Sequence, residues 1–163
     1  MTADSQAQLS PNQEGAPAFL RDIWYLAGLA RDLRKGRMAR QMMLGEPVVL
    51  GRMEDGIAFA FRDICPHRGV PLSCGRIRHD HTVECAYHGW RFDANGQCTA
   101  IPSLAEKQDL DVSRIRARSY PVREQDGLVW LYMAADSHAN EPPRVEPPRV
   151  PMATAVHPAR RAP

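Results

Sequence analysis

Two short segments decide what this chain can fold into: Cys65-Pro66-His67-Arg68-Gly69 and Cys85-Ala86-Tyr87-His88-Gly89-Trp90. Each offers one thiol and one imidazole a few residues apart and then a glycine, the residue that lets a backbone turn sharply. Both therefore read as loops at strand ends, separated by residues 70–84.

The sequence around them is strand-like. Runs at Arg40 to Leu44, Pro47 to Met53 and Ile57 to Arg62 are divided by Gly45-Glu46 and by Glu54-Asp55-Gly56, which predicts a three-stranded meander. Thr82 to Cys85, Trp90 to Asp93 and Gln97 to Ile101 form further short strands, the last two joined across Ala94-Asn95-Gly96. Ile115 to Arg123 and Leu128 to Met133 close the set around Gln125-Asp126-Gly127. Helix is scarce, with a turn or two expected over Leu29 to Lys35 before Gly36. Many short strands at regular spacing predict an all-β, antiparallel sandwich or small barrel.

Cys65, His67, Cys85 and His88 are the candidate metal ligands. For a [2Fe–2S] centre the division suits the chemistry, because two thiolates hold one iron while two neutral imidazoles replace thiolates on the other. That exchange removes negative charge and raises the potential to roughly −150 to +300 mV, against about −400 mV for the all-cysteine plant type. Gly69 and Gly89 let backbone amides turn toward the sulfurs, and such hydrogen bonds tune a cluster. The competing reading is a structural zinc ion, which also takes two cysteines and two histidines. Zinc fingers usually pair like with like in each knuckle and place the histidines on a helix, whereas both knuckles here are mixed and lie among strands.

With these residues in view the chain resembles the N-terminal Rieske domain of the oxygenase α-subunits, the ring-hydroxylating and demethylating non-haem iron enzymes. The match extends over Trp24-Tyr25, Leu44-Gly45-Glu46-Pro47-Val48-Val49, Pro71-Leu72-Ser73, Ile101-Pro102-Ser103, Tyr120-Pro121-Val122 and Gly127-Leu128-Val129-Trp130, a framework similar to the demethylase-like branch. The resemblance implies a Rieske-type antiparallel β-sandwich with a cluster-binding subdomain of two loops. It also separates this chain from respiratory Rieske proteins, whose loop disulfide would need cysteines where Val70 and Tyr87 stand, and which carry a serine in place of Trp90. A potential near the low end of the Rieske range is the expectation. Trp90 is expected to pack under the cluster loop and shield it, Tyr87 to serve in packing, and Arg68 either to dock an acidic partner group or to be a plain surface residue.

The family's catalytic half holds a mononuclear iron on two histidines and a carboxylate. Beyond His88 this chain has only His138 and His157, neither in the family's Asp-x-x-His-x4-His pattern, so the polypeptide alone is not expected to activate O2. Three readings follow: an N-terminal piece of an oxygenase, a free-standing Rieske ferredoxin, or a regulatory protein using the metal structurally. In the first two, a flavin- or ferredoxin-type reductase donates electrons and an oxygenase catalytic domain or subunit accepts them, with a homotrimer implied if the chain belongs to a full α-subunit.

Composition sets the remaining bounds. Residues 1–18 are polar and read as a disordered arm, 19–135 as the single domain, and 136–163 as a proline-rich tail or linker that holds half of the chain's 14 prolines and a tandem Glu-Pro-Pro-Arg-Val. A net charge of +2 with scattered basic residues gives no support for nucleic acid binding. No apolar run is long enough to cross a bilayer and no leader is visible, so a cytoplasmic address is expected. A reducing compartment favours thiolate ligands over disulfides, and Cys74 and Cys98 are expected to be buried small hydrophobes. His79 and His81, flanking Asp80, are expected to be solvated.

Overall fold

The computed structural model describes residues 19–104, 110–135, 143 and 145–150. The expected arm at 1–18, together with His138 and His157, lies outside them. Ten strands form three antiparallel sheets, and no α-helix is present among the described residues.

The meander forms as the turn signals require. Strands β2 (Arg37–Met43), β3 (Glu46–Arg52) and β4 (Ala58–Arg62) pair in sequence order. The first hairpin turns on Leu44 and Gly45, both at positive φ, and sets Met43 opposite Glu46. A second sheet has the order β1-β10-β9, from Ile23–Leu29, Leu128–Met133 and Val122–Gln125. The third is β5 (Arg76–Ile77), β6 (Val83–Glu84), β7 (Arg91–Phe92) and β8 (Cys98–Ala100).

The meander is the middle layer, because successive side chains of a strand face opposite ways. Val48, Leu50 and Ala60 join Tyr120, Val129, Leu131 and Met133 in one core against the β1-β10-β9 sheet. Val49, Phe59 and Phe61 face the other way and join Leu72, Val83, Phe92, Cys65 and Cys85 in the core beneath the two motif loops. Gly51 is required in that second core: a Cβ there would stand 2.4 Å from the ring of Phe59, its cross-strand partner. The fold is thus a β-sandwich carrying on its outer face a smaller sheet with the two motif loops.

Of the turn or two expected over Leu29 to Lys35, one 3-10 turn (Ala30–Asp32) forms, after β1, which runs through Leu29. The segment from Ile115 to Pro121 is not a continuous strand. It crosses between layers, bridging Gln97 through Arg116 and Phe61 through Ser119, and β9 starts only after Pro121, which has no N–H to give a ladder. In the Ala94-Asn95-Gly96 turn Gly96 takes a positive φ, and the Asp93 carboxylate folds the turn by accepting from the N–H groups of Asn95 and Gln97.

Candidate metal centre

Loop 1 leaves β4 and loop 2 joins β6 to β7, and the two close in the same way. The Cys65 N–H donates to Val70 O at 2.8 Å and the Gly69 N–H to Cys65 O at 2.9 Å. In loop 2 the Cys85 N–H donates to Trp90 O at 2.9 Å and the Gly89 N–H to Cys85 O at 3.1 Å. Both glycines sit at positive φ, +73° and +69°, where a side chain would be strained. Each loop thereby holds its cysteine inward while its histidine stays toward solvent.

The four candidate ligands sort by type. Cys65 and Cys85 are buried, with their thiols in hydrogen-bonding range of one another. His67 and His88 face each other with ring centroids 4.7 Å apart, His88 exposed and His67 partly so. Burial and the adjacent Cys85 thiol push the Cys65 thiol up to about 11, against the pull of the His67 and Arg68 backbone amides aimed at its sulfur. Two such thiols side by side ionise together only if a cation compensates them, which is how a metal centre uses cysteine. Desolvation, with His88 and Arg68 beside it, holds the His67 imidazole below its ordinary range, in the neutral form that ligates. A thiol pair next to an imidazole pair fits a centre with two metal ions. Among the described residues no three His, Cys, Asp or Glu side chains converge on a single point.

The neighbours fall partly where the sequence placed them. Trp90 packs on the core below the loops, and its ring lies parallel to His67, 4.4 Å between centroids and 5° between planes. Tyr87 packs on the surface. It is 56% exposed and covers His88 with its ring, 3.8 Å between centroids. Arg68 is exposed, and among the described residues no carboxylate pairs with it. Cys98 is buried as expected, but Cys74 is exposed, since it ends a 3-10 turn (Leu72–Cys74) whose one buried residue is Leu72. His79 and His81 are both on the surface, the latter 3.8 Å from Asp55.

Sequence reasoning missed Asp63. This carboxylate, two residues before Cys65, is 1% exposed and accepts from Ser73 N at 2.7 Å and Ser73 Oγ at 2.6 Å, with Arg40 at 3.6 Å. It staples the start of loop 1 to the segment that follows the loop. The available signal was an acidic residue amid a strand-like apolar run, with Ser73 already singled out in Pro71-Leu72-Ser73. The polar residues bracing loop 2 were missed as well: Glu84, next to Cys85, binds Arg76 and Arg78 at 2.6 Å each across the outer face of the small sheet.

With the geometry established, comparison with known proteins is direct. A family described as the Rieske [2Fe-2S] domain matches residues 23–121. The chain belongs to the Rieske [2Fe–2S] domain family, a fold that binds its cluster through cysteine and histidine. It is 36% identical over 129 residues to the 3-chlorobenzoate-3,4-dioxygenase oxygenase subunit of Comamonas testosteroni, covering 78% of this chain and 29% of that protein. It is 40% identical over 116 residues to the oxygenase component of dicamba O-demethylase from Stenotrophomonas maltophilia, covering 70% and 32%. Among solved structures, dicamba monooxygenase bound to dicamba superposes with a TM-score of 0.66 at 35% identity, covering 80% of this chain and 37% of the other. The oxygenase–ferredoxin complex of carbazole 1,9a-dioxygenase gives 0.63 at 28% identity, covering 71% and 30%. The chain spans about a third of the length of these curated relatives.

Proposed function

We propose that Cys65 and Cys85 hold one iron and His67 and His88 the other iron of a [2Fe–2S] cluster, and that this chain is the electron-transfer domain of a ring-hydroxylating or demethylating oxygenase system. The observation that carries the reading is the sorting of four donors into a buried thiol pair and a solvent-facing imidazole pair. The cluster supplies one-electron chemistry. The residues supply the rest: the loop amides of His67 and Arg68 aim at the Cys65 sulfur, the sandwich excludes water from the thiol side, and the exposed His88 edge is where a partner comes closest.

Electrons come from a cytoplasmic flavin- or ferredoxin-type reductase and pass to a mononuclear non-haem iron centre of the oxygenase. Support comes from the likeness to oxygenase components and from the oxygenase–ferredoxin pairing in the carbazole system. The test is spectroscopic. The reconstituted chain should show visible absorption and, once reduced, the low-average-g paramagnetic signal of a histidine-ligated cluster, at a potential near the low end of roughly −150 to +300 mV. Cys65→Ser and Cys85→Ser should each abolish both signals. One zinc per chain with no visible absorption would overturn the assignment, and a potential well above zero would count against the oxygenase placement.

A further inference from the structure

The proline-rich stretch reads as a linker by composition, yet residues 145–150 are received by the domain. The Trp24 indole N–H donates to Val145 O at 2.6 Å, and the Gln125 side-chain amide donates to Pro147 O at 2.8 Å. The Val150 N–H donates to the Asp126 carboxylate at 2.9 Å. Glu146 lies 3.7 Å from Arg123 and Arg149 lies 3.8 Å from Asp126, while Pro147 is buried. Trp24 is itself set edge-on to Tyr132, 5.4 Å between centroids.

These groups are what a proline-rich ligand needs. Proline has no N–H, and an extended segment satisfies none of its own carbonyls, so a receptor must offer donors beside an aromatic surface. Trp24 and Gln125 are those donors, and Asp126 meets an N–H the segment does possess. The ion pairs set direction, since Glu146 reaches a cation and Arg149, three residues on, reaches an anion. The segment is already stiff, so seating it costs little chain entropy.

We propose that the face of the β1-β10-β9 sheet turned away from the meander, from Trp24 to the β9–β10 turn, is a recognition site for Glu-Pro-Pro-Arg-Val, and that the chain, which carries this sequence at 141–145 and again at 146–150, seats either copy. Every side chain that makes these contacts has its equivalent five residues earlier in the sequence. Glu141, Pro142, Arg144 and Val145 repeat Glu146, Pro147, Arg149 and Val150, and the acceptor for Trp24 is a backbone carbonyl that residue 140 supplies as well as Val145 does. Exchange of copies releases five residues beyond the anchor, about 15 Å at the ~3.1 Å per residue of a polyproline helix. The strap therefore has two lengths. It is fastened to the sheet that the meander separates from the motif loops, so changing length leaves the loops uncovered.

The full-length chain provides the test, with the thermal unfolding midpoint as the folding control. Trp24→Phe keeps a ring and loses the donor, and Gln125→Ala loses the other; each should speed tryptic cleavage at Arg149–Val150 about fivefold, the share of one hydrogen bond in the opening equilibrium. Unchanged cleavage in both, at an unchanged midpoint, would overturn the site. Glycine at Pro142 and Pro143, at Pro147 and Pro148, or at all four then tests the second copy through hydrogen exchange of the Trp24 indole N–H. Either pair alone should leave that proton protected, and only the fourfold variant should expose it. Full loss of protection in the Pro147→Gly/Pro148→Gly chain alone would refute the two-copy strap, and protection surviving the fourfold change would refute recognition of the sequence.

Discussion

Loop 1 and loop 2 have the same backbone hydrogen bonds and the same left-handed glycine, but they are supported by different physics. Loop 1 is fixed by a buried charge, the Asp63 carboxylate clamped on Ser73 and reached by Arg40. Loop 2 follows a strand braced by the Glu84 ion pairs, but the loop itself is fixed by packing: Gly89 lies under Pro102, and Trp90, which accepts the loop-closing hydrogen bond, turns its ring onto His67 of the other loop. The histidine spacing differs to match, two residues after the cysteine in loop 1 and three in loop 2. One turn geometry can thus be held by polar or apolar means, and the two should fail differently.

Removing the clamp should give the largest effect. Asp63→Ala leaves a buried N–H and hydroxyl of Ser73 without an acceptor, and is expected to cost about 3 kcal/mol in denaturant unfolding, since hydrogen bonds to charged groups carry about 1.5 to 3 each. Asp63→Asn keeps an acceptor oxygen and should cost less than half of that. A stability for the alanine variant within error of wild type would show that loop 1, like loop 2, rests on packing. Trp90→Ser comes next at about 2 kcal/mol, for a half-buried indole and its stacking on the His67 ring. Because the stack joins the loops, cluster lifetime should shorten along with stability, and an unchanged lifetime would break the link drawn between them.

The glycines allow a matched comparison. Gly69→Ala meets no atom within 4 Å, so its cost is the left-handed backbone alone, about 1 kcal/mol. Gly89→Ala carries the same strain and also brings a Cβ to 3.1 Å from the Pro102 ring, so it should lie further down in melting temperature. Equal shifts for the pair would show that Pro102 yields and that loop 2 is not held by packing there.

What could be read from the sequence was whatever is local. The cysteine and histidine of each motif loop, the glycines that close both loops and the hairpins at Glu54-Asp55-Gly56 and Gln125-Asp126-Gly127 each lie within a few consecutive residues. Strand β1 could not be read, because its register shifts between Leu26 and Gly28 and destroys the alternation that marks a half-buried strand. The segment before β9 was read as strand because it is rich in strand formers, while its partners lie in two different sheets. Asp63 and Ser73 are ten residues apart, and nothing in either neighbourhood states that they meet. Composition likewise describes residues 145–150 as a linker and is silent on Trp24, far away in sequence, whose indole receives them.

Support for loop 1 extends outward through Asp63, whose N–H donates to Pro47 O at 2.8 Å, to Glu46, the residue before. Glu46 accepts from the Tyr120 hydroxyl at 2.7 Å and pairs with Arg21 at 2.7 Å and Arg118 at 3.2 Å, joining two of the framework segments, the one at 44–49 and the one at 120–122. Burial alone would raise its carboxyl, but hydrogen bonds from Tyr120 and Arg21 and the charge of Arg118 outweigh it and hold the group below its ordinary value of 4.5. A carboxylate held down in the folded state contributes stability that is complete above its unfolded value and is lost as pH falls through the folded one. Glu46→Gln should therefore lower stability at neutral pH and flatten the decline below about pH 4.5, with the two curves converging in acid. The effect should be the smallest of the series, because two of the four groups in the network keep contacts elsewhere: Arg118 lies over the Tyr120 ring, and the Tyr120 N–H is held by Ala60 O. Parallel curves for wild type and variant would place the acid sensitivity in other carboxylates and confine loop 1's polar support to Asp63 itself.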